Sequence, residues 1–290
     1  MCTDPEEFLQ SLLSDTLRAE PLIHLSTGQE AFMYQLVVEK DERLALPTVQ
    51  QLFDQSFLSS SLKFKEVPPC LIIQMPRCGP SFKMYARIQP SMALDVTDAL
   101  LDAPRSCHVC GALAEVECVD CYDVQEGLES TAYCRPCLNK VHSHRKRVDH
   151  ESRVLIVSQE ARDYFVPSRV RGYANGCVAP PTPPRVLMEL FAVVCIQTSH
   201  YVAFVKAGSG AEAPWCFFDS MADRSECSED NGYNIPEVVG CPGLHRWLSE
   251  ERIHEILSVK DEKLLPEHAR RLLCDAYLCF YQSHDTLMYR

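Results

Sequence analysis

The chain has 290 residues, 46% of them hydrophobic, and its 40 acidic against 28 basic side chains leave a net charge of −12. That length predicts roughly two folding units, each able to bury a core. The acidic balance argues against general affinity for nucleic acid or an acidic membrane surface, since both reward positive charge.

The N-terminus, Met1-Cys2-Thr3-Asp4-Pro5-Glu6-Glu7, is acidic and polar and unlike a secretory signal. No apolar run approaches the ~18 residues a membrane helix needs, so no membrane insertion is expected. Sixteen cysteines in such a chain point to a reducing, cytoplasmic setting in which thiols bind metal or do chemistry.

A helix opens the chain, with Asp4 as its cap, Pro5 in its first position and Glu7 three residues after the cap. Phe8, Leu9, Leu12, Leu13 and Leu17 fall on one face of it. Residues 32–38 read as a strand, and Val49, Leu52, Phe53 and Phe57 as the core side of a second helix. Pro68-Pro69 introduces a strand over Cys70-Leu71-Ile72-Ile73-Gln74-Met75. A block dense in cysteine and histidine covers roughly 104–152. Residues 166–186, with five prolines and two glycines, read as a loop. Strands follow at about 189–196, 200–206 and 214–219, helices near 244–258 and 266–273, and a last strand at 277–281. The pattern is α+β with a small insertion.

The spacing Cys107-x2-Cys110-x7-Cys118-x2-Cys121-x12-Cys134-x2-Cys137-x4-His142-x7-His150 is the strongest chemical signal. Zinc takes four tetrahedral ligands from thiolate and imidazole, and a Cys-x2-Cys turn offers two sulfurs to one ion. Eight ligands suffice for two closed structural zinc sites. Interleaving assigns Cys107, Cys110, Cys134 and Cys137 to one ion, and Cys118, Cys121, His142 and His150 to the other, a B-box-like cross-brace. His144 and His108 remain alternative ligands. A segment so poor in large apolar side chains needs metal to fold, and closed sites leave no position for a substrate. The short basic run Arg145-Lys146-Arg147 reads as a solvated or protein-contact face rather than a nucleic-acid site.

A second constellation is the hairpin from His200-Tyr201-Val202-Ala203-Phe204-Val205-Lys206, through the loop around Gly208-Ser209-Gly210, to Trp215-Cys216-Phe217-Phe218-Asp219-Ser220. With a turn centred near residue 210, position 200 faces about position 220. His200 then meets Asp219, and a carboxylate there can select the tautomer of an imidazole that activates a thiol. Taken alone, the pattern more often marks a structural histidine than a catalytic one, and Asp223 is a rival orienting group.

These residues resemble the ubiquitin-specific proteases. His200-Tyr201-Val202-Ala203-Phe204-Val205 is similar to the family's G-H-Y-x-A-Y histidine box, with Ser199 in place of glycine. Asp4-Pro5-Glu6-Glu7-Phe8-Leu9 resembles its D-A-x-E-F-L helix start. Pro69-Cys70-Leu71-Ile72-Ile73-Gln74-Met75-Pro76-Arg77 resembles its P-x-x-L-x-x-x-L-K-R-F strand, with departures at Pro76 and Cys78. Asp275-Ala276-Tyr277-Leu278-Cys279-Phe280-Tyr281 resembles its closing strand. The zinc block, Cys70–Arg77, and Phe217-Phe218-Asp219-Ser220-Met221-Ala222-Asp223-Arg224 narrow the likeness to the CYLD-type branch.

The resemblance implies a papain-like fold of partial thumb, palm and short fingers. The protease domain would occupy 1–103 and 153–290, interrupted by a B-box-like two-zinc module at 104–152. It implies a cysteine deubiquitinase in which His200 is the base, Asp219 its orienter, and ubiquitin and polyubiquitin chains the partners. Signalling-complex proteins and control of NF-κB-type signalling belong to the same implication.

The family's nucleophile lies in a cysteine box, G-x-x-N-x-G-N-T-C-Y, which these 290 residues do not contain. Cys2 lacks the asparagine-rich turn, and Cys195, Cys216, Cys274 and Cys279 read as buried small residues. The alternative function is therefore a non-catalytic ubiquitin-binding or zinc-module interaction protein. A B-box scaffold unrelated to ubiquitin explains only the middle of the chain.

Overall fold

The computed structural model describes residues 5–60, 62–78, 82–123, 131–165, 181–197, 200–210, 212–219 and 238–283. The predicted cap Asp4, Cys2, Ser199, Ser220, Asp223 and most of the predicted 166–186 loop lie outside them. The chain forms two compact units. One comprises residues 1–60, 67–94 and 188–290, and the other 61–66 and 95–187. Among the described residues no helix is long and apolar enough to cross a membrane.

The first unit is built on a large mixed sheet. The strands of its main path are β1 (Met33–Gln35) and β2 (Cys70–Gln74), then β6 (Leu187–Gln197), β7 (His200–Lys206), β8 (Trp215–Asp219), β9 (Val238–Gly240) and β10 (Ala276–Gln282), with a short strand Ala93–Asp95 paired to β6 beside that path. They run in the order β9-β8-β7-β6-β10-β2-β1. Neighbours along this path are antiparallel except β1 and β2, which are parallel. The middle of the sheet is its most apolar part. In β10, Ala276 through Cys279 are consecutive buried residues, and Met188, Leu190, Val193, Cys195 and Ile196 are buried in β6. Near-continuous apolar runs of this kind belong to strands covered on both faces.

Helix α2 (Val49–Ser60) covers part of that core with Val49, Leu52, Phe53 and Phe57, all buried. Its start is held by a reciprocal pair. Gln51 N–H donates to Thr48 Oγ1 at 3.1 Å, and Thr48 N–H donates to Gln51 Oε1 at 3.0 Å. Together they satisfy two amides that a helix start would leave orphaned. The Tyr34 ring of β1 stacks on Phe57 at 4.6 Å, and its hydroxyl meets Ser56 Oγ at 2.9 Å, so the helix and sheet are joined by apolar and polar contact at one point.

Helix α1 (Pro5–Ser11) departs from the sequence pattern. Its apolar face continues through a wide turn, Leu12–Thr16, with Leu17 N–H donating five residues back to Leu12 O. None of these helical residues is buried, and Phe8 is 57% exposed. Periodicity found the helix, but its apolar stripe is only partly covered, with Leu9 lying against the Ile72 cluster. The helix expected over 244–258 is broken into short turns, because Ser249 adopts an extended conformation between His245–Leu248 and Ile253–Ser258. The next helix, α4 (Glu267–Asp275), packs Leu272, Leu273 and Cys274 inward.

The second unit contains a three-stranded sheet, β5-β3-β4, from β3 (Val116–Glu117), β4 (Ala132–Tyr133) and β5 (Arg153–Val154), with helix α3 (Arg135–His142). A small cluster of Cys107, Val116, Cys118, Cys121, Tyr133 and Leu138 is buried here. Half of it is thiol, too little apolar area to stabilise a fold without further help. One buried ion pair adds to it. Glu117 accepts from Arg105 and from the half-exposed Arg153.

Candidate functional site

His200 begins β7 and Asp219 ends β8, so the two strands bring residues nineteen positions apart to one end of a hairpin. The register differs by one residue from the predicted one. Asp219 pairs with Val202, so His200 is its diagonal neighbour on the same face rather than its direct opposite. Diagonal positions stand about 7–8 Å apart at the backbone, a gap that an imidazole and a carboxylate span together. Here the His200 Nε2–H donates to Asp219 Oδ1. Both side chains are about one-third exposed, at 29% and 33%. With Nε2 engaged, Nδ1 is the nitrogen left to take a proton from a reacting group.

Behind this face lies an apolar cavity of about 300 Å³, lined by Phe8, Val194, Tyr201, Val202 and Phe218 among others. The strand preceding His200 is held from the other side by two buried arginines. Arg271 Nη1 donates to Gln197 Oε1 at 2.6 Å and to Asp275 Oδ2 at 3.0 Å. Arg77 Nη2 donates to Ile196 O at 3.2 Å, and its Nη1 to Asp275 O at 2.8 Å. Gln197 is the register partner of His200, so this network fixes the strand end from which the histidine departs. Sequence reasoning missed it. Its signal was Arg77 standing two residues beyond a buried strand, where a charge needs partners.

Outside the metal-ligating groups, burial disfavours five described thiols as nucleophiles. Burial pushes Cys70 up to about 11 and Cys274 up to about 12, and raises Cys195, Cys241 and Cys279 as well. Reactive thiols need the opposite, an accessible electropositive setting. A further thiol–imidazole pair, Cys241 Sγ and His268 Nδ1 at 3.3 Å, was also missed. Cys241 is buried, and His268 packs on Phe217 with ring centres 4.5 Å apart, which suits a structural contact.

In the second unit two groups of metal-ligating side chains converge. Cys107, Cys110, Cys134 and Cys137 form one, and Cys118, Cys121, His142 and His150 the other; within each group the ligand atoms all lie within 4.8 Å of one another. His144 and His108 stand in neither group. The Cys107–Cys110 turn is closed by Gly111 N–H donating to Cys107 O at 2.8 Å, with Gly111 at φ 71°, a left-handed conformation that favours glycine. Cys134 precedes the first turn of α3 and Cys137 lies within that turn, with Pro136 between them, so both sulfurs reach one side.

The spacings fit a tetrahedral ion. With metal–sulfur bonds of ~2.3 Å and metal–nitrogen bonds of ~2.0–2.1 Å, ligand atoms stand ~3.8 Å apart sulfur to sulfur and ~3.5–3.6 Å sulfur to nitrogen. Cys110 and Cys134 sulfurs are 3.7 Å apart. Cys121 Sγ is 3.5 Å from His142 Nε2 and 3.3 Å from His150 Nδ1. A disulfide would need ~2.05 Å. Both groups can hold a metal ion.

The hairpin thus holds a histidine bonded to a carboxylate, with an apolar cavity behind it. No protein-family model matches the chain. Among curated proteins it is 44% identical over 296 aligned residues to the ubiquitin carboxyl-terminal hydrolase CYLD of Homo sapiens, and equally to that of Mus musculus. In both cases 99% of this chain is covered, and the chain spans about 29% of the relative's length. Solved structures of the SAGA deubiquitinating module align with 77% of this chain and 25% of theirs, at 12–14% identity and TM-scores of 0.27–0.28. Along nearly its whole length the chain is thus similar to one part of the CYLD ubiquitin carboxyl-terminal hydrolases.

Proposed function

We propose that the chain is the larger part of a cysteine-type deubiquitinase domain that removes polyubiquitin from proteins. The hydrogen bond from His200 Nε2 to Asp219 carries this reading. Asp219 fixes the tautomer with its proton on Nε2, leaving Nδ1 as the base. Nδ1 takes the proton of a cysteine thiol, and the thiolate attacks the carbonyl carbon at the ubiquitin C-terminus. The imidazolium returns the proton to the departing lysine amine, forming a thioester. Water, deprotonated by the same nitrogen, then hydrolyses the thioester and frees the cysteine. The attacking cysteine belongs to a cysteine box that the 290 residues do not hold. Burial raises Cys70, Cys195 and Cys274, which disfavours them as substitutes for it.

The two ligand groups are assigned to two structural zinc ions of a B-box-like module at about 104–152, with the protease domain on either side at 1–103 and 153–290. Zinc supplies folding free energy there, and with four protein ligands on each ion it has no part in hydrolysis. Polyubiquitin and signalling-complex proteins are the partners, and the cytoplasm is the compartment.

The test is ubiquitin carrying a thiol-reactive group at its C-terminus, read by intact mass. The reading predicts no adduct on the 290-residue chain, a single adduct once a cysteine-box segment of the family's form is joined to it, and loss of that adduct on His200→Ala. A His200→Ala protein that is labelled at the wild-type rate would overturn the assignment of the base.

A further inference from the structure

Tyr133 is fully buried in the middle of the second unit's small core, packed with Cys118 and Cys121. Strand pairing sets it there. It is the register partner of Val116, while Cys118 N–H donates to Thr131 O at 2.9 Å, so the phenol projects among the sulfurs. Its hydroxyl has no hydrogen-bond partner among the described residues. Such a group costs about 1–3 kcal/mol unless something satisfies it. Cys121 lies close enough to disfavour the phenolate, second to burial itself, yet the two lack the geometry of a formed hydrogen bond.

Cys121 is the natural acceptor once it holds a metal. Its sulfur has two imidazole nitrogens as neighbours, His142 Nε2 at 3.5 Å and His150 Nδ1 at 3.3 Å. On metal binding both nitrogens turn their lone pairs to the ion and can no longer donate to the sulfur. Cys121, only 1% exposed, is then a buried thiolate in want of a donor. A phenol O–H supplies one. Donors to ligating atoms of this kind orient a ligand and set its affinity for the ion.

We propose that the Tyr133 hydroxyl donates to the Cys121 thiolate when the Cys118/Cys121/His142/His150 group is metal-bound, and so sets the zinc affinity of that site and not of the other. Tyr133 is a positioning residue for the metal site. The inference rests on the reading of this group as a zinc site.

The test compares the wild-type chain with Tyr133→Phe, which removes one oxygen and keeps the ring. Zinc affinity is measured by competition with a chromophoric chelator. Cobalt substitution tells the sites apart, since four thiolates give stronger sulfur-to-metal charge-transfer bands than two. The expected result is about 10- to 100-fold weaker binding at the two-histidine site, with the four-cysteine site unchanged. Wild-type protein that takes up no zinc there would sink the zinc reading and the inference together. Wild-type protein that binds two zincs, with Tyr133→Phe binding equally tightly, would sink the inference alone. Should the variant fail to fold, the Tyr133 Cζ shift of zinc-loaded wild type decides: a donor-type shift supports the bond, and the shift of an unbonded phenol overturns it.

Discussion

His200 and Asp219 are bonded across a diagonal of the β7–β8 hairpin, with Val202 and not His200 standing directly opposite the carboxylate. The diagonal has a chemical consequence. A directly opposed pair has its Cβ atoms about 5 Å apart, too close for the carboxylate to meet the far side of the imidazole ring in plane. Two residues further along, the ring lies between the strands with Nε2 toward Asp219 and Nδ1 pointing away from it. That two-residue offset thus decides which nitrogen is held and which is left to work.

That division predicts the tautomer. In neutral His200 the proton is expected on Nε2, with Nδ1 unprotonated, readable from the ring ¹⁵N shifts of the 290-residue chain. Asp219→Ala should mix the two tautomers, and Asp219→Asn should hold one of them, since an amide can still pair with the ring. In a protein that includes the cysteine box, His200→Ala is expected to reduce ubiquitin cleavage by roughly 10²–10⁴-fold. Asp219→Asn should cost less than Asp219→Ala. Equal losses for the two Asp219 variants would argue that the carboxylate does not act through the ring.

Removal of metal should collapse the second unit and leave the first standing. The cluster around Tyr133 and Leu138 is half thiol, and a core that small folds only if the ion contributes its binding energy. Metal analysis should return two zincs per chain, falling to one in Cys107→Ser or Cys118→Ser. A strong chelator should then open the six module cysteines to alkylation at neutral pH, while Cys195 and Cys279 in the sheet stay protected by burial. Protection of the module cysteines that survives chelation would show that the unit folds without metal.

Legibility in the sequence followed the strength of each local physical constraint. The strands from 70 and 189 were readable because buried strands need long apolar runs, which Cys70–Gln74 and the middle of Leu187–Gln197 supply; Trp215–Asp219 was readable from its apolar run although only Trp215 of it is buried. The pairing of thiols and imidazoles was readable because metal geometry limits spacing. The exposure of Phe8 was not, because periodicity specifies which residues share a face and says nothing about what covers it. The Arg271–Gln197 contact was equally hidden, since it joins residues 74 positions apart that only the fold brings together.

That contact has its own expected cost. Arg271 and Asp275 are each about 4% exposed at the side chain, and Arg271 ties α4 to the end of β6. Removing it leaves Asp275 in the interior with Lys83 and the nearby Arg77 as its charged neighbours. Arg271→Met is therefore expected to destabilise the first unit by about 3–5 kcal/mol, the usual result of breaking one side of a buried pair. Gln197→Ala should cost much less, because it removes a neutral acceptor at the exposed end of the strand. A denaturant titration of both variants gives the comparison. If Gln197→Ala proves as damaging as Arg271→Met, the strand end and not the buried charge is what the network supports.

Glu117 offers a matching case in the second unit, with a sign that pH can read. Burial pushes its carboxyl up, but the Arg105, Lys63 and Arg153 charges outweigh that and hold it below its usual value of 4.5. A depressed carboxyl contributes stability above its unfolded pKa and loses it as pH falls through the lower folded value. Glu117→Gln leaves Arg105, only 4% exposed at its side chain, with only the more distant Asp98 carboxylate at 3.6 Å as a charged partner among the described residues. It should therefore cost about 3–5 kcal/mol near neutral pH. The amide of Cys118, bonded to Thr131 O beside this pair, reports the loss through faster hydrogen exchange in zinc-saturated protein. The difference from wild type should be constant between pH 6 and 8, where Glu117 is fully ionised in both the folded and unfolded states. A difference that grew or shrank across that interval would mean that some group other than Glu117 governs the stability of this core.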